Sequence, residues 1–178
     1  DLQTWMDIIA RLPLADAQQA HPQIGEFLDG LLKAPPEIEV YIELLEHLRP
    51  SLCFVVEDLA RHFVNKPLPL DDAEEECFRQ ANVIWIKMAR SYAACAKLMG
   101  PEKTSEHQTR LALVLHRCIY YMGMALVEHH RARREQPPQL WGDLFRYYTV
   151  AEKRGVALVP VPDSLDPHGR EPTCTSAF

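Results

Sequence analysis

Glycine is scarce in this chain. The seven present form no phosphate-cradling loop, so neither a P-loop nor a dinucleotide-binding turn is available. Gly-x-Ser-x-Gly is absent as well, which removes the nucleophile elbow of the α/β-hydrolases. No uninterrupted apolar run reaches the ~18 residues of a membrane span. No charged n-region leads into an apolar h-region at the start. Metal spacings are also missing. The five cysteines, Cys53, Cys77, Cys95, Cys118 and Cys174, form no CxxC. No Glu-x-x-His, His-x-x-x-His or HExxH occurs. Neither a metal nor a cofactor is expected.

Basic charge is in deficit too. The formal net charge is −6, which argues against nucleic acid as a partner, because phosphate binding needs a net basic face. The one dense basic cluster is His129, His130, Arg131, Arg133 and Arg134. It falls where a helix should end, where positive charge complements the helix dipole. His129, His130, Arg131 and Arg134 are retained as a candidate contact for an anionic ligand. The odd cysteine count, with four thiols on or beside apolar stripes, reads as small buried thiols in a reducing cytosol.

What is present is helical periodicity. The apolar content of 47% and charged content of 25% are those of a globular protein, and 178 residues suffice for one domain with a real core. Leu2, Trp5, Met6, Ile9 and Leu12 make one face, stopped by Pro13. Asp16 can cap a second helix carrying Ala20 to Leu32, kinked at Pro22 or starting there. After Pro35-Pro36 a stripe from Ile38 to Phe63 is interrupted at Pro50, predicting two helices or one kinked helix. Asn65 to Leu70 reads as a rigid extended link. Asp71 or Asp72 caps the clearest helix, in which Trp85 and Met88 should be buried, and Gly100 fits its C-terminal position. Thr104 or Ser105 caps the next, which fades near Arg134. Leu140 to Ala151 form the last, ended by Gly155. Four prolines and Gly169 rule out regular helix in 156–178.

The fold expected is all-α: an antiparallel bundle or short α-solenoid of six to seven helices. Trp141, Leu144 and Tyr148 have the spacing of a tetratricopeptide helix, so TPR-like hairpins fit. Residues 1–155 form the helical domain. Residues 156–178 read as a Pro-rich tail or linker, and the Asp1 start and unfinished C-terminal edge read as a piece of a longer protein.

No stripe carries a catalytic set, so no enzyme is expected. The weaker enzymatic alternative draws on scattered His116, Cys118 and Glu128. Glu43 and His47, four apart, suit an ordinary surface pair. Two adjacent aromatic pairs stand out, Tyr120-Tyr121 and Tyr147-Tyr148. Helix neighbours sit about 100° apart, so one of each pair should reach the boundary or surface. All four are candidates for a partner surface on helices 104–134 and 139–154, serving a protein partner or self-association.

Several runs recur together. They are Trp5 with Leu12-Pro13-Leu14-Ala15-Asp16, then Leu44-Leu45-Glu46-His47-Leu48-Arg49-Pro50, then Lys66-Pro67-Leu68-Pro69-Leu70. Trp141, Leu144, Tyr148, Ala151-Glu152 and Gly155 follow, with Pro172-Thr173-Cys174 at the exit. This pattern resembles the N-terminal helical region of betaproteobacterial PilZ-domain proteins. The resemblance implies a cytoplasmic bacterial signalling protein in which a PilZ domain further along binds cyclic di-GMP. That domain's motif is Arg-x-x-x-Arg with a later Asp/Asn-x-Ser-x-x-Gly. Here Arg131 and Arg134 are three apart, and Asp163-Ser164 lacks the intervening residue. This fragment is therefore expected not to bind cyclic di-GMP, and to act as a non-enzymatic scaffold or interaction module. The alternative is a self-contained helical domain that binds a regulatory small molecule.

Overall fold

The computed structural model describes residues 2–11, 17–99, 105–155, 161–162 and 165. Among them are six helices: α1 (Leu2–Ala10), α2 (Ala17–Lys33), α3 (Ile38–Ala60), α4 (Asp72–Leu98), α5 (Glu106–Arg133) and α6 (Gln139–Arg154). The fold is all-α. Leu12, Pro13, Asp16, Gly100 and Thr104, to which helix ends were assigned, lie outside the described residues, as does most of the tail. Of the tail, Leu165 is buried in the core and Val161 packs against it.

Local chemistry explains where the long helices begin and end. Asp71 accepts from the Glu74 amide at 2.8 Å, and the Glu74 carboxylate accepts from the Asp71 amide at 2.9 Å. Ser105 and Gln108 repeat this reciprocal cap at the start of α5. Each pair satisfies two amides that a helix start leaves without partners. Arg134 and Gly155 take left-handed conformations, φ 56° and 64°, and close α5 and α6.

At both prolines the continuous alternative is the one found. α2 begins before Pro22 and runs through it, and α3 is one helix through Pro50. Both prolines are exposed. Water can therefore reach the carbonyl that each leaves without its amide, while packing of the buried face holds the helix together.

α4 is the hub, packed against α2, α3, α5 and α6. From Gln80 to Ala96 every residue except Lys87 is buried, and Lys87 is paired to Asp29 of α2 at 2.7 Å. Trp85 and Met88 are fully buried, as expected. The buried polar ends of three large aromatics find backbone acceptors. Trp85 Nε1 donates to the Ile119 carbonyl, Tyr148 Oη to Ala89, and Tyr92 Oη to Leu45. These cross-helix bonds satisfy groups that would otherwise oppose burial. They also fix direction: α4 is antiparallel to α3 and α5, and α6 returns antiparallel to α5. α3 and α5 consequently lie side by side and parallel, joined at residues 43–107 and 53–118, with Phe63 of the turn after α3 meeting His129.

α5 contains an 18-residue window apolar enough, by composition, to cross a membrane, a feature that a search for uninterrupted apolar runs passes over. Within the bundle it packs against α3, α4 and α6.

Candidate functional site

The apolar surplus of α5 is concentrated on one outward stripe. Val114, Cys118, Tyr121 and Ala125 follow one another at intervals of four, three and four residues, the spacing of a coiled-coil seam. Tyr121 is 62% exposed and Val114 44%. Across from them lie Cys53 and Glu57 of α3 and Val64 of the turn that follows it, while Phe54 of α3 and Val64 are both exposed. Between the two helices lies an open groove of about 290 Å³ whose walls include Cys53, Ala60, Val64, Cys118, Tyr121 and Ala125. Glu57 supplies its one carboxylate.

The four tyrosines divide. Tyr121 faces solvent, and Tyr120 is half-buried, stacked on Phe145 at 5.9 Å. Tyr147 and Tyr148 are both inside, 4% and 0% exposed. The expectation that one of them reaches the boundary or surface is corrected. Tyr148 is held by Ala89 of α4, and both rings flank His116 of α5. α6 is squeezed between two helices at this level, so side chains 100° apart both meet protein.

The basic cluster is also rearranged. His129 and His130 are buried, not displayed. His129 sits edge-on to Phe63, and His130 Nε2 lies 3.0 Å from Asn82 Oδ1. Burial, helped by the nearby Arg133 charge, holds both imidazoles neutral by lowering their pKa, that of His130 to about 4. They therefore lend no positive charge to an anion. Arg131 is exposed and pairs with Glu128 at 3.3 Å, and Arg134 serves as the left-handed cap. The adjoining cleft, about 590 Å³, lies between the start of α4 and the α5–α6 connection. It contains Asp72, Glu75, Glu76 and Glu135 against Arg79 and Arg133. Arg133 bonds Glu75 at 2.9 Å and Glu135 at 3.3 Å and lies over the Phe78 ring, while Arg79 pairs with Glu76. This is an acid-rich, internally paired surface and a poor receptor for an anion.

The scattered enzymatic set does not converge. His116 points to α6 and is pushed down to about 4 by burial. Cys118 lies on another side of α5, against Cys53 of α3. Glu128 is three turns further on, exposed beside Arg131. Glu43 turns to His107 of α5 at 3.2 Å, not to the neighbouring His47. Among the described residues no group of His, Cys, Asp and Glu could hold a metal. Of the cysteines expected to be buried, Cys77 and Cys95 are, whereas Cys53 and Cys118 are half-buried and lie 3.1 Å apart. Sequence reasoning had no means of pairing two thiols 65 positions apart.

The described residues thus define an all-α bundle whose most distinctive surface is an apolar groove between two parallel helices. The chain belongs to the family described as Cyclic-di-GMP receptor FimW, N-terminal domain, whose model matches residues 1–178. Among curated proteins it is similar to the "Cyclic-di-GMP receptor FimW" of Pseudomonas aeruginosa, with 26% identity over 168 residues. That match covers 94% of this chain and 27% of the relative, so the chain spans about a quarter of the length of the protein it matches. No solved structure matches it.

Proposed function

We propose that this chain is the non-enzymatic helical interaction module of a cyclic di-GMP-responsive bacterial signalling protein acting in the cytoplasm. The dinucleotide would be held by another region, of PilZ type. The family and the 26% identical relative carry the cyclic di-GMP connection. Absence of the PilZ motif from these residues, and neutral buried histidines in the only dense basic cluster, support a binding site elsewhere. The module's own role is association, and the α3/α5 groove with Tyr121 at its rim carries that reading. A seam spaced four, three, four takes an amphipathic helix, and α5 of a second copy is itself such a helix. Self-association through α5 is the simplest occupancy.

The rival reading, a small-molecule regulatory domain, would use the cleft at Arg133. The ion pairs already made there leave little charge for a ligand to recognise. Two measurements on the 178-residue chain test the proposal. Calorimetry with cyclic di-GMP should show no binding; micromolar affinity would overturn it. Sedimentation should show concentration-dependent dimerisation that Tyr121→Ser weakens. A clean monomer at high concentration would overturn the self-association.

A further inference from the structure

We infer that Cys53 and Cys118 form a peroxide-sensitive dithiol site that closes to an α3–α5 disulfide. The two sulfurs are 3.1 Å apart. A disulfide needs about 2.05 Å, so closure asks for about 1 Å of approach between side chains on two helices already in contact. Both thiols are half-buried and line the α3/α5 groove, which in the unassociated chain admits a molecule the size of hydrogen peroxide. The other described cysteines neither line the groove nor reach solvent. Cys77 and Cys95 are 1% and 3% exposed, and burial pushes the Cys95 thiol up to about 12.

The environment also assigns an order of events. The hydrogen bond between the two sulfurs, aided by the Arg49 guanidinium one turn earlier on α3, lowers the Cys53 pKa. Sharing that hydrogen with Cys53, together with burial, raises the Cys118 pKa. Cys53, on α3 one turn beyond the Arg49 cation, is assigned as the attacking thiolate and Cys118 as the resolving thiol. In the first step the Cys53 sulfur bonds to one oxygen of hydrogen peroxide and the O–O bond breaks. The leaving hydroxide takes a proton to become water, and Cys53 becomes a sulfenic acid. In the second step the Cys118 sulfur attacks the Cys53 sulfur. The S–S bond forms, the S–O bond breaks, and the hydroxyl leaves as water with the Cys118 proton. Two thiols lose two electrons and two protons, and one peroxide becomes two waters. A dithiol reductant reverses the change by thiol–disulfide exchange.

The test uses the reduced 178-residue chain treated with a small excess of hydrogen peroxide, followed by proteolysis and mass spectrometry under non-reducing conditions. The expected product is a Cys53–Cys118 linked peptide, lost on treatment with dithiothreitol. Closing a 65-residue separation should raise the melting temperature by roughly 5–10 °C over the reduced form. In Cys118→Ser, dimedone should trap a sulfenic acid on Cys53. In Cys53→Ser, peroxide should oxidise Cys118 roughly tenfold more slowly than it oxidises Cys53 in Cys118→Ser. The inference is overturned if wild-type mapping, which needs no variant to fold, shows no intrachain link. A link that joins either cysteine to Cys174 instead, or equal reactivity of Cys53 and Cys118, would overturn it too.

Discussion

α4 and α5 are nearly equal in length, 27 and 28 residues, and both start with a capping box. They have opposite relations to water. α4 is surrounded, and it buries Asn82, Arg90 and Ser91 along with its apolar residues. α5 is the one helix among the described residues apolar enough by composition to suit a membrane, yet only 33% of that window is buried. Position in the bundle, not composition, decides burial. A hub helix needs its buried polar groups satisfied, and Asn82 achieves this by donating to the Phe78 carbonyl of its own helix and meeting His130 of α5. A flank helix buries one side, and apolar residues on the other side are free for association. The hub is enclosed, and the flank carries the exposed apolar stripe.

The comparison is sharpest at Trp85, the largest fully buried side chain and the point where α4, α5 and α6 meet. Trp85→Ala should cost about 3–5 kcal/mol, read as a lowered urea midpoint. A loss under about 1 kcal/mol, within the range of an exposed substitution, would show that α4 is not the hub described.

Acid should attack the α5 interface with its neighbours next. The folded pKa of His116 is about 4, against an ordinary 6.5, because burial disfavours the charged ring; His130 shifts the same way. The unfolded chain therefore binds more protons between those values. Stability is full above about pH 6.5 and is lost as pH falls towards 4, with His116 contributing on the order of 3 kcal/mol. Denaturant melts across this window should show the slope, and His116→Phe should flatten it. An unchanged slope in that variant would place the titration elsewhere.

Much of this contrast was legible in the sequence. The cap at Asp71, the acidic first turn and the stripe through Trp85 and Met88 are local signals, and local signals specify α4 well. What sequence could not resolve depends on packing between distant segments. Tyr147 and Tyr148 are both enclosed because α4 and α5 meet α6 at the same level. His129 and His130 read as a charged helix end, yet Phe63, Phe78 and Asn82 fold over them. At prolines 22 and 50 the sequence left a break and a continuous helix both open, because periodicity does not show on which side a proline will lie.

Gly123 tests how closely hub and flank approach. A Cβ at this position would lie 2.9 Å from Trp85 and 2.9 Å from Phe145, closer than carbon atoms tolerate. Overpacking of this kind costs roughly 1–3 kcal/mol, while alanine returns up to about 1 kcal/mol in helix propensity. Gly123→Ala should therefore destabilise by about 1–2 kcal/mol in chemical denaturation. A stabilised variant would mean that the Trp85 and Phe145 rings can move apart freely, and that the two helices are less firmly seated.

The smallest expected effect on stability is at Tyr121, and it separates the two helices most directly. Its ring is 62% exposed, so Tyr121→Ser should change unfolding free energy by less than about 0.5 kcal/mol. Helical circular dichroism should be unchanged. If the α5 stripe is an association seam, the same change removes its largest exposed side chain, and aromatic anchors of this kind carry a disproportionate share of interface energy. Dimer dissociation should then weaken by roughly tenfold or more, a loss of about 1.4 kcal/mol. Tyr147→Ser is the matched control. Its ring is buried against His116 and Tyr148, so it should lower the melting temperature instead. Loss of association in Tyr147→Ser without loss of stability would reverse the assignment of inside and outside between these tyrosines. Loss of stability in Tyr121→Ser would show that the α5 stripe is already covered within one chain.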